Sequence, residues 1–304
     1  MKKISIIIVN FRTWDSLKLC FKSILEQKKL DCEVIVVDNN SDDNKLYDFK
    51  IKYSWVKWVK NQKNYGFAKA CNIGASFSSS NWILFLNPDT ILVKNSLNTL
   101  LIYCEKNTDH KIIGIKQLND NLKHVDPSGL FLNFWSLTGF SRAIIRQFKF
   151  SNNEAANFPD WISGSFVLIR KKDFDSLNGW DEDFWMYYED MDLCKRAKNI
   201  GMKIILLNKW NYKHSHGKAS RKDNATKIVA KSQVIISSHI YIEKHSKKSI
   251  KFINHLLLIF LQSSELILKS IFSRTYREIF KKSYRFWLVG ISKNIWKSEM
   301  INNS

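Results

Sequence analysis

The chain has 304 residues, enough for one large α/β domain with an appendage, and 45% apolar residues, which is ordinary for a folded protein. Its five cysteines are odd in number and include no C-x-x-C pair, which argues against a disulfide framework or a zinc site and favours a reducing compartment. The net charge of +20 makes nucleic-acid binding one candidate function to be tested against the motifs.

The first half of the chain alternates between strand and helix patterns. Strand patterns cover residues 4–9, 33–37 and 82–86, and helix patterns cover residues 14–27, 67–76 and 96–105. Continuous apolar runs are typical of strands covered on both faces, and strand–helix–strand repetition implies right-handed crossovers. We therefore predict an α/β fold with a mostly parallel sheet and helices on both faces. The run at residues 4–9 is too short for an export signal, so we expect a cytoplasmic protein.

The alternation loosens beyond about residue 110. Residues 163–170 and 202–207 resemble strands, residues 184–200 resemble a helix after the first residues of that segment, and the chain beyond residue 225 is helical in character. Between residues 244 and 297 there are twelve Lys or Arg and two Glu, interleaved with large apolar residues. Such a tail suits an anionic membrane surface at least as well as RNA.

Polar side chains follow each of the early strands. Asn10 ends the first strand, Asp38 the second, and Asn87 and Asp89 the third. Each alone could be a turn residue, but the carboxyl ends of strands are where open α/β sheets bind ligands. The glycine motifs of dinucleotide and P-loop sites are absent from the sequence, so phosphates would need a divalent cation held by a carboxylate. Asp89 suits the cation, and Asp38 suits a ribose or base.

A second acidic cluster is the segment GWDEDFWMYYEDMDLCKR at residues 179–196. The cluster could have a purely structural role, because carboxylates at the start of a helix interact favourably with the helix dipole. Carboxylates among aromatic rings can also have raised proton affinity, which suits a general base. Further on, the segment HSHGKAS contains His214 and His216, which are candidates for a metal or phosphate contact or simply part of a surface loop.

Six segments in this order, IIIVNF, VVDNNSDD, NYGFAKACNIG, LFLNPDT, SGSFVLIRKKDFDSLNGWDEDFWMYYEDMDLCKRAKNIG and HSHGKAS, resemble the family 2 glycosyltransferases with the GT-A fold. The resemblance covers roughly residues 4–220 and includes the bacterial rhamnosyltransferase-like branch, which builds cell-surface polysaccharides. It implies a catalytic domain over residues 1–224, with a nucleotide-sugar half at about 1–110 and an acceptor half at about 111–224. Residues 225–304 form a basic, apolar-rich helical tail.

The resemblance also implies a donor site. Its nucleotide-sugar residues are Asn10, Asp38, Asn64, Gly66, Phe67, Asn72, Asn87 and Asp89. Asp89 stands where the family's metal-binding D-x-D motif ends, but Asn87 replaces the first Asp of that motif. The implied cofactor is Mg²⁺ or Mn²⁺ on Asp89, with His214 or His216 near the metal and diphosphate.

The implied reaction is inverting transfer of a hexose, rhamnose being one candidate, from a dTDP- or UDP-linked donor to a glycan or lipid-linked acceptor. Asp190 matches the catalytic base, with Glu189 beside it, and Asp181 and Glu182 are the less favoured bases. The acceptor-side residues are Trp161, Ser163, Gly164, Trp180, Asp181 and Glu182.

Other interpretations stay open at this point. A sugar-nucleotide pyrophosphorylase would need a glycine-rich loop after the first strand, which the sequence VNFRTWDS does not provide. A catalytically inactive sugar-nucleotide or nucleic-acid binding protein of the same fold is the alternative, although an acidic cleft would repel a nucleic-acid backbone and no nucleic acid is expected. Residues 244–297 would hold the protein at the inner face of the cytoplasmic membrane or, alternatively, pack on the catalytic domain.

Overall fold

The structure, a computed structural model, describes residues 3–28, 30–132, 156–215 and 223–298. Within those residues a ten-stranded mixed sheet forms the centre, and two further short strands form a second sheet. The strands in chain order are β1 (Ile4–Asn10), β2 (Cys32–Asp38), β3 (Lys57–Lys60), β4 (Trp82–Leu86), β5 (Thr90–Leu92), β6 (His110–Leu118), β7 (His124–Val125), β8 (Ser128–Gly129), β9 (Ala156–Asn157), β10 (Trp161–Ile162), β11 (Phe166–Arg170) and β12 (Lys203–His214).

Helices alternate with the strands along the chain and follow the last strand. Those of the described residues are α1 (Trp14–Leu25), α2 (Lys45–Lys52), α3 (Phe67–Ser76), α4 (Ser96–Lys106), α5 (Lys171–Ser176), α6 (Glu189–Asn199), α7 (Asn224–His245), α8 (Lys251–Phe272) and α9 (Arg274–Lys293). In the segment 184–200, which was predicted to be helical after its first residues, the helix begins at Glu189. Tyr187 and Tyr188 have φ of 70° and 67°, a left-handed conformation that a right-handed helix excludes.

The main sheet has the strand order β3-β2-β1-β4-β11-β6-β12-β5. Strand β1 pairs in parallel with both β2 and β4, while β11 runs antiparallel to β4 and β6. Strand β12 is parallel to β6 and antiparallel to β5. The predicted α/β class is thus confirmed. The parallel pairing expected from the early alternation holds among β1 to β4, and the insertion of β11 makes the whole sheet mixed.

Strand β1 is buried along its whole length because helices cover both of its faces. Its Ile6 and Ile8 belong to the same core cluster as Phe21 of α1. Ile7 points to the opposite face, where a side chain on Gly74 of α3 would come within 2.5 Å of it. The small residue on α3 therefore lets that helix lie close against β1.

The chain divides into two compact units. The first comprises the described residues up to Gly129, those from Ala156 to Asp181, and those from Asp190 to Ser215. The second contains Glu182–Glu189 and helices α7, α8 and α9. The functional boundary expected near residue 224 stays a prediction.

In the second unit, the Glu182–Glu189 segment is attached to α7. Ser237 Oγ donates to the Met186 carbonyl at 2.9 Å, and Lys244 Nζ lies 2.6 Å from the Asp183 carboxylate. Helix α9 packs against both α7 and α8. The predicted helical character beyond residue 225 is confirmed.

A buried histidine pair joins α7 to α8. His239 Nδ1 lies 2.8 Å from His255 Nδ1, and the Trp296 ring stacks on both imidazoles. Trp287 Nε1–H, which can only donate, lies 3.2 Å from His239 Nε2. Gln262 Oε1 lies 3.2 Å from the same nitrogen, so polar partners surround His239 on both ring nitrogens. Burial first, and then the neighbouring His255, hold the pKa of His239 well below its ordinary value.

Acid is therefore expected to destabilise the second unit. Below pH 6.5, the ordinary His value, the unfolded chain binds a proton that folded His239 refuses, so stability falls as pH falls. The loss at about pH 5.5 amounts to as much as ~1.4 kcal/mol for this one group. Urea unfolding at about pH 7.5 and 5.5, followed by Trp fluorescence, measures it.

His239→Gln should reduce the pH dependence of unfolding, although it also lowers stability at neutral pH. His124→Gln, on an exposed histidine of the first unit, should leave the pH dependence unchanged. Equal pH dependence in the wild type and His239→Gln would contradict the assignment to His239.

Candidate active site at the carboxyl ends of the strands

The strand order reverses between β1 and β4, because the chain runs outward from β1 through β2 to β3 and then returns to the other side of β1. Ligands of open α/β sheets usually bind outside the carboxyl ends of the strands at such a reversal, and we call this edge of the sheet the crevice. Asn10 ends β1, Asp38 ends β2, and Asn87 and Asp89 follow β4. The structure thus brings the polar strand ends to one edge of the sheet.

Asn10 and Asp38 are register partners at the ends of β1 and β2. Asn10 Nδ2 donates to Asp38 Oδ1 at 3.0 Å and to Ser41 Oγ at 3.2 Å. Its Oδ1 accepts from the Thr13 hydroxyl at 2.8 Å, and Ser41 also donates to Asp38 at 2.5 Å. Both Asn10 and Asp38 are fully buried, so they shape and stiffen the two loops at this edge.

The neighbouring loop before α3 is held by an asparagine network. Asn39 Nδ2 donates to Asn64 Oδ1 at 2.8 Å and to the Gly66 carbonyl at 3.0 Å, while its Oδ1 accepts from Asn61 Nδ2. Asn64 Oδ1 also accepts from the Gly66 amide at 3.0 Å. Gly66 precedes α3 with φ of 84°, where a residue with a Cβ would be strained. Phe67, the first residue of α3, follows directly and is partly exposed.

Asp89 is paired with His214. Its Oδ1 lies 3.1 Å from His214 Nε2, and its backbone carbonyl accepts from the Ser215 amide. Both side chains are buried, at the point where β5 and β12 pair. On the other side of the imidazole, Nδ1 lies 3.4 Å from Gln117 Oε1, which also accepts from Tyr212 Oη at 2.8 Å. A continuous chain of polar groups therefore runs from the tip of β4 to β6.

The donor set around Asp89 fits a divalent cation. A carboxylate oxygen and an imidazole nitrogen are both common ligands of divalent cations, and a hydrogen on Nε2 donated to Asp89 would also satisfy the 3.1 Å contact. The described residues hold no group of three or more His, Cys, Asp or Glu ligands, so a metal here would need oxygens from a diphosphate and water.

The loop before β11 connects the Asp89 turn to Asp190. Ser165 accepts from the Asn87 amide through its carbonyl at 3.0 Å, and its hydroxyl lies 2.6 Å from Tyr212 Oη. One residue earlier, the Gly164 amide donates to Asp190 Oδ2 at 3.0 Å. A Cβ built on Gly164 would meet Phe67 and Asp190 at ordinary contact distances. The structure thus places Asp190, Phe67 and the β4 turn around one short loop.

Asp190 lies in the first turn of α6, partly exposed, with its Oδ1 accepting from the Met191 amide at 2.8 Å. Burial raises the pKa of its carboxyl, and the hydrogen bonds from the amides of Gly164 and Met191 act in the opposite direction. A carboxylate with raised proton affinity is a better base than an ordinary aspartate while it stays ionised near neutral pH. The carboxylate has lone pairs beyond those that face the two amides.

Two predicted site residues hold backbone in place. Asn72 Nδ2 donates to the Trp180 carbonyl at 2.8 Å, and its Oδ1 accepts from the Trp180 amide at 2.9 Å. Trp180 is fully buried and its ring packs edge-on against Phe67 and Phe85. The Trp180 ring therefore belongs to the core and not to the surface of the crevice. The resemblance implied an acceptor-side position for Trp180, and the sequence around it does not separate a core tryptophan from one at the surface.

The remaining predicted residues fall in different places. Trp161 packs across Gly129, where a Cβ would come within 2.9 Å of the indole, and the Ser163 amide donates to the Pro127 carbonyl. Asp181 is partly exposed in the first unit. Glu182, which is exposed, and Glu189, which is buried, belong to the second unit. His216 lies outside the described residues.

A cavity of about 530 Å³ lies elsewhere in the first unit. Its lining includes His110 and Lys203, the first residues of β6 and β12, together with Asp109 and Phe158. Since β6 runs antiparallel to β11, and β11 antiparallel to β4, this cavity is at the amino ends of the strands, the edge opposite the crevice. Its volume suits a small molecule, but it lacks the converging carboxylates of the crevice.

Several residues of the site were missed by sequence reasoning. Gln117 and Tyr212, both buried, join His214 to the loop before β11, and Asn39 organises the loop before α3. Gln117 comes near the end of β6, which the sequence analysis did not include among its strands. The run from Ile112 to Ile115, followed by polar residues, is the sequence signal that could have revealed β6 and, near its end, Gln117.

Comparison with known proteins shows the family. Residues 5–177 match the family model Glycosyl transferase family 2, and residues 147–218 match the model N-terminal domain of galactosyltransferase. Rhamnosyltransferase WbbL of Escherichia coli K12 is 29% identical over 200 residues, which are 60% of this chain and 74% of WbbL. The N-acetylglucosaminyl-diphospho-decaprenol L-rhamnosyltransferase of Mycobacterium tuberculosis H37Rv is 22% identical over 237 residues, 70% of this chain and 75% of that protein.

A solved structure shows the same fold. GalNAc-T7, crystallised with UDP, GalNAc and Mn²⁺, superposes with a TM-score of 0.56 at 16% identity, over 71% of this chain and 43% of GalNAc-T7. At that identity the likeness concerns the fold alone, and the chain spans less than half of that relative. The GT-A fold predicted from the sequence is confirmed.

Proposed function

This chain belongs to the family 2 glycosyltransferases, in the rhamnosyltransferase-like branch, and from that premise we propose that it is an inverting hexosyltransferase that uses a nucleoside-diphosphate sugar. The observation that carries the proposal is the single loop at residues 163–165. It contacts Asp190 through the Gly164 amide and the β4 turn through the Ser165 carbonyl. A base and a diphosphate-binding turn held by one loop are what a direct displacement at a sugar carbon needs.

Asp190 is the general base in this proposal. The acceptor hydroxyl gives its proton to a carboxylate oxygen of Asp190 as its oxygen bonds to the anomeric carbon of the donor. The bond between that carbon and the diphosphate oxygen breaks, and the nucleoside diphosphate leaves with the electron pair. One displacement inverts the anomeric centre. The amides of Gly164 and Met191 hold the carboxylate in a fixed orientation throughout.

The leaving diphosphate is bound at the ends of β1, β2 and β4. Asn10 and Asp38 hold the loops that receive the nucleoside, and Gly66 and Phe67 begin the helix below it. Asp89 and His214 would hold Mg²⁺ or Mn²⁺, which when bound supplies positive charge to offset that of the departing diphosphate. Gln117 and Tyr212 keep the imidazole oriented from behind.

The donor and acceptor are proposed from the relatives' names. WbbL is a rhamnosyltransferase and the mycobacterial relative acts on a diphospho-decaprenol-linked sugar. We therefore propose a dTDP- or UDP-linked hexose, rhamnose first among them, as donor, and a glycan or lipid-linked sugar as acceptor in cell-surface polysaccharide synthesis. With such an acceptor, the protein would act in the cytoplasm at the inner face of the membrane.

Release of nucleoside diphosphate from a panel of dTDP- and UDP-sugars tests this proposal. The full chain is incubated with each donor and Mn²⁺, with and without simple glycosides as acceptors. We expect one donor to give release that increases with an acceptor and yields a new glycoside of inverted anomeric configuration by NMR. Binding of donors without any turnover under these conditions would instead support an inactive sugar-nucleotide binding protein.

A further inference from the structure

Helix α8 buries a mixed face and exposes an apolar one. Asn254 and His255 are buried together with Leu258 and Leu266, and Gln262 is turned towards α7. Its other side exposes large apolar side chains. We call five of them the outward stripe: Ile253, Leu256, Phe260, Ile267 and Ile271. Their spacing of three, four, seven and four residues places them along one face of the helix.

The polar face of α8 is fixed to its own unit. Asn254 Nδ2 donates to Ser246 Oγ at 3.0 Å, His255 Nε2 lies 3.3 Å from the Glu243 carboxylate, and Gln262 Nε2 donates to Ser238 Oγ at 3.0 Å. Through these contacts, that side of α8 is bound to α7 and to Ser246, the residue that follows α7. Only the outward stripe is left for an apolar environment.

The exposed apolar surface is too large to be incidental. Phe260 is 67% exposed, and Phe272, at the end of the helix, is 89% exposed. Tyr284, Leu288 and Ile291 of α9 are exposed as well. Monomeric soluble proteins seldom expose this many large apolar side chains along neighbouring helices unless another surface covers them.

The charges next to the outward stripe identify that surface as lipid. Four exposed cations follow Phe272 along α9, at Arg274, Arg277, Lys281 and Arg285. An apolar stripe beside a group of cations matches the acyl boundary and anionic headgroups of a membrane, whereas a second copy of this chain would bring four like charges together.

We propose that α8 lies in the plane of an anionic membrane, with the outward stripe among the acyl chains and the four α9 cations at the headgroups. By length and composition α8 could cross a bilayer, and only 17% of its most apolar window is buried in the protein. The hydrogen bonds of Asn254, His255 and Gln262 contradict a membrane-spanning position for α8. A spanning helix would have lipid where these three side chains contact α7 and its C-terminal end. In-plane binding needs one apolar face only, which is what α8 offers. The proposal deepens the membrane location in the proposed function but does not depend on the transfer chemistry.

Vesicle binding tests the proposal without any sugar donor. The full chain is sedimented with phosphatidylcholine vesicles that contain about one third phosphatidylglycerol. The stripe variant combines Ile253→Gln, Phe260→Gln and Ile267→Gln. The matched control combines Leu25→Gln, Ile51→Gln and Ile102→Gln, three exposed apolar residues of the first unit. We expect the stripe variant to lose about 10-fold or more in vesicle partitioning and the control to bind like the wild type.

Further measurements exclude other occupants and geometries. Arg274→Gln with Arg277→Gln should weaken binding to the anionic vesicles and reduce its salt dependence. Bound protein should redistribute to fresh vesicles, whereas a spanning helix would stay where it is. Vesicle binding by the stripe variant equal to that of the wild type would overturn the proposal, and so would a lack of redistribution. It would also be overturned if the wild type binds no vesicles but forms a dimer in solution that the stripe variant does not form. Because transfer to a soluble acceptor is measured separately, failure here leaves the proposed function standing.

Discussion

Replacing Asp190 by Asn is expected to slow sugar transfer about 10²–10⁴-fold, the contribution of a positioned general base, while donor affinity stays unchanged. The carboxamide has nearly the same shape but cannot take the acceptor's proton. Asp190 contacts the loop before β11 through Gly164 and not the asparagine network before α3, so nucleotide binding should persist. Single-turnover rates with saturating donor, together with donor Kd from calorimetry, separate the two effects.

The pH profile provides an independent check on Asp190. Burial raises the pKa of this carboxyl, and the base must be ionised to act. Activity of the wild type should therefore fall as pH falls through that raised pKa, at a higher pH than an ordinary aspartate with a pKa of about 3.9 would give. The residual activity of Asp190→Asn should lack this acid limb.

The matched control for Asp190 is Asp181→Asn, the same change at a carboxylate nine residues earlier in the same acidic segment. Normal turnover is expected for that variant. If Asp190→Asn turns over normally and Asp181→Asn does not, the base has been assigned to the wrong carboxylate.

Replacing Asp89 by Ala is expected to lower transfer about 10²–10³-fold, as loss of one electrostatic contact to a charged leaving group commonly does. Removal of this carboxylate leaves only His214 of the proposed cation-binding pair. Mn²⁺-dependent binding of the nucleoside diphosphate should be lost with it. Calorimetry with the nucleoside diphosphate, with and without Mn²⁺, measures this directly.

Asp109→Ala serves as the control for Asp89, since Asp109 lines the cavity at the opposite edge of the sheet. That variant should bind nucleotide and Mn²⁺ like the wild type. Circular dichroism and the melting temperature show whether either variant has lost its fold. Wild-type nucleotide affinity and Mn²⁺ dependence in a folded Asp89→Ala protein would contradict the metal assignment.

The polar strand ends could be predicted from the sequence because local rules determine them. Strands β1, β2 and β4 are continuous apolar runs, and each run stops at a polar residue, so the pattern alone predicts Asn10, Asp38 and Asp89 at one edge of the sheet. Parallel pairing of β1 with both neighbours then brings those ends together.

Contacts between residues far apart in the chain could not be predicted from the sequence. Gln117 and Tyr212 reach His214 only because β6 and β12 are paired, and no local pattern reveals a register between strands about ninety residues apart. The left-handed backbone at Tyr187 and Tyr188, which limits where α6 can begin, also has no signal in a helix-like sequence pattern. Trp180 shows a third limit, since an aromatic residue between acidic neighbours has the same sequence signature in a core as in a sugar-binding crevice.

The most direct test of the site is a crystal structure of Asp190→Asn with its nucleoside-diphosphate sugar and Mn²⁺. We expect the nucleoside at the ends of β1 and β2, the Mn²⁺ anomalous signal at Asp89, and the anomeric carbon open to attack from the side of residue 190. A nucleotide bound instead in the cavity beside His110 and Lys203, or Mn²⁺ away from Asp89, would contradict the proposed active site.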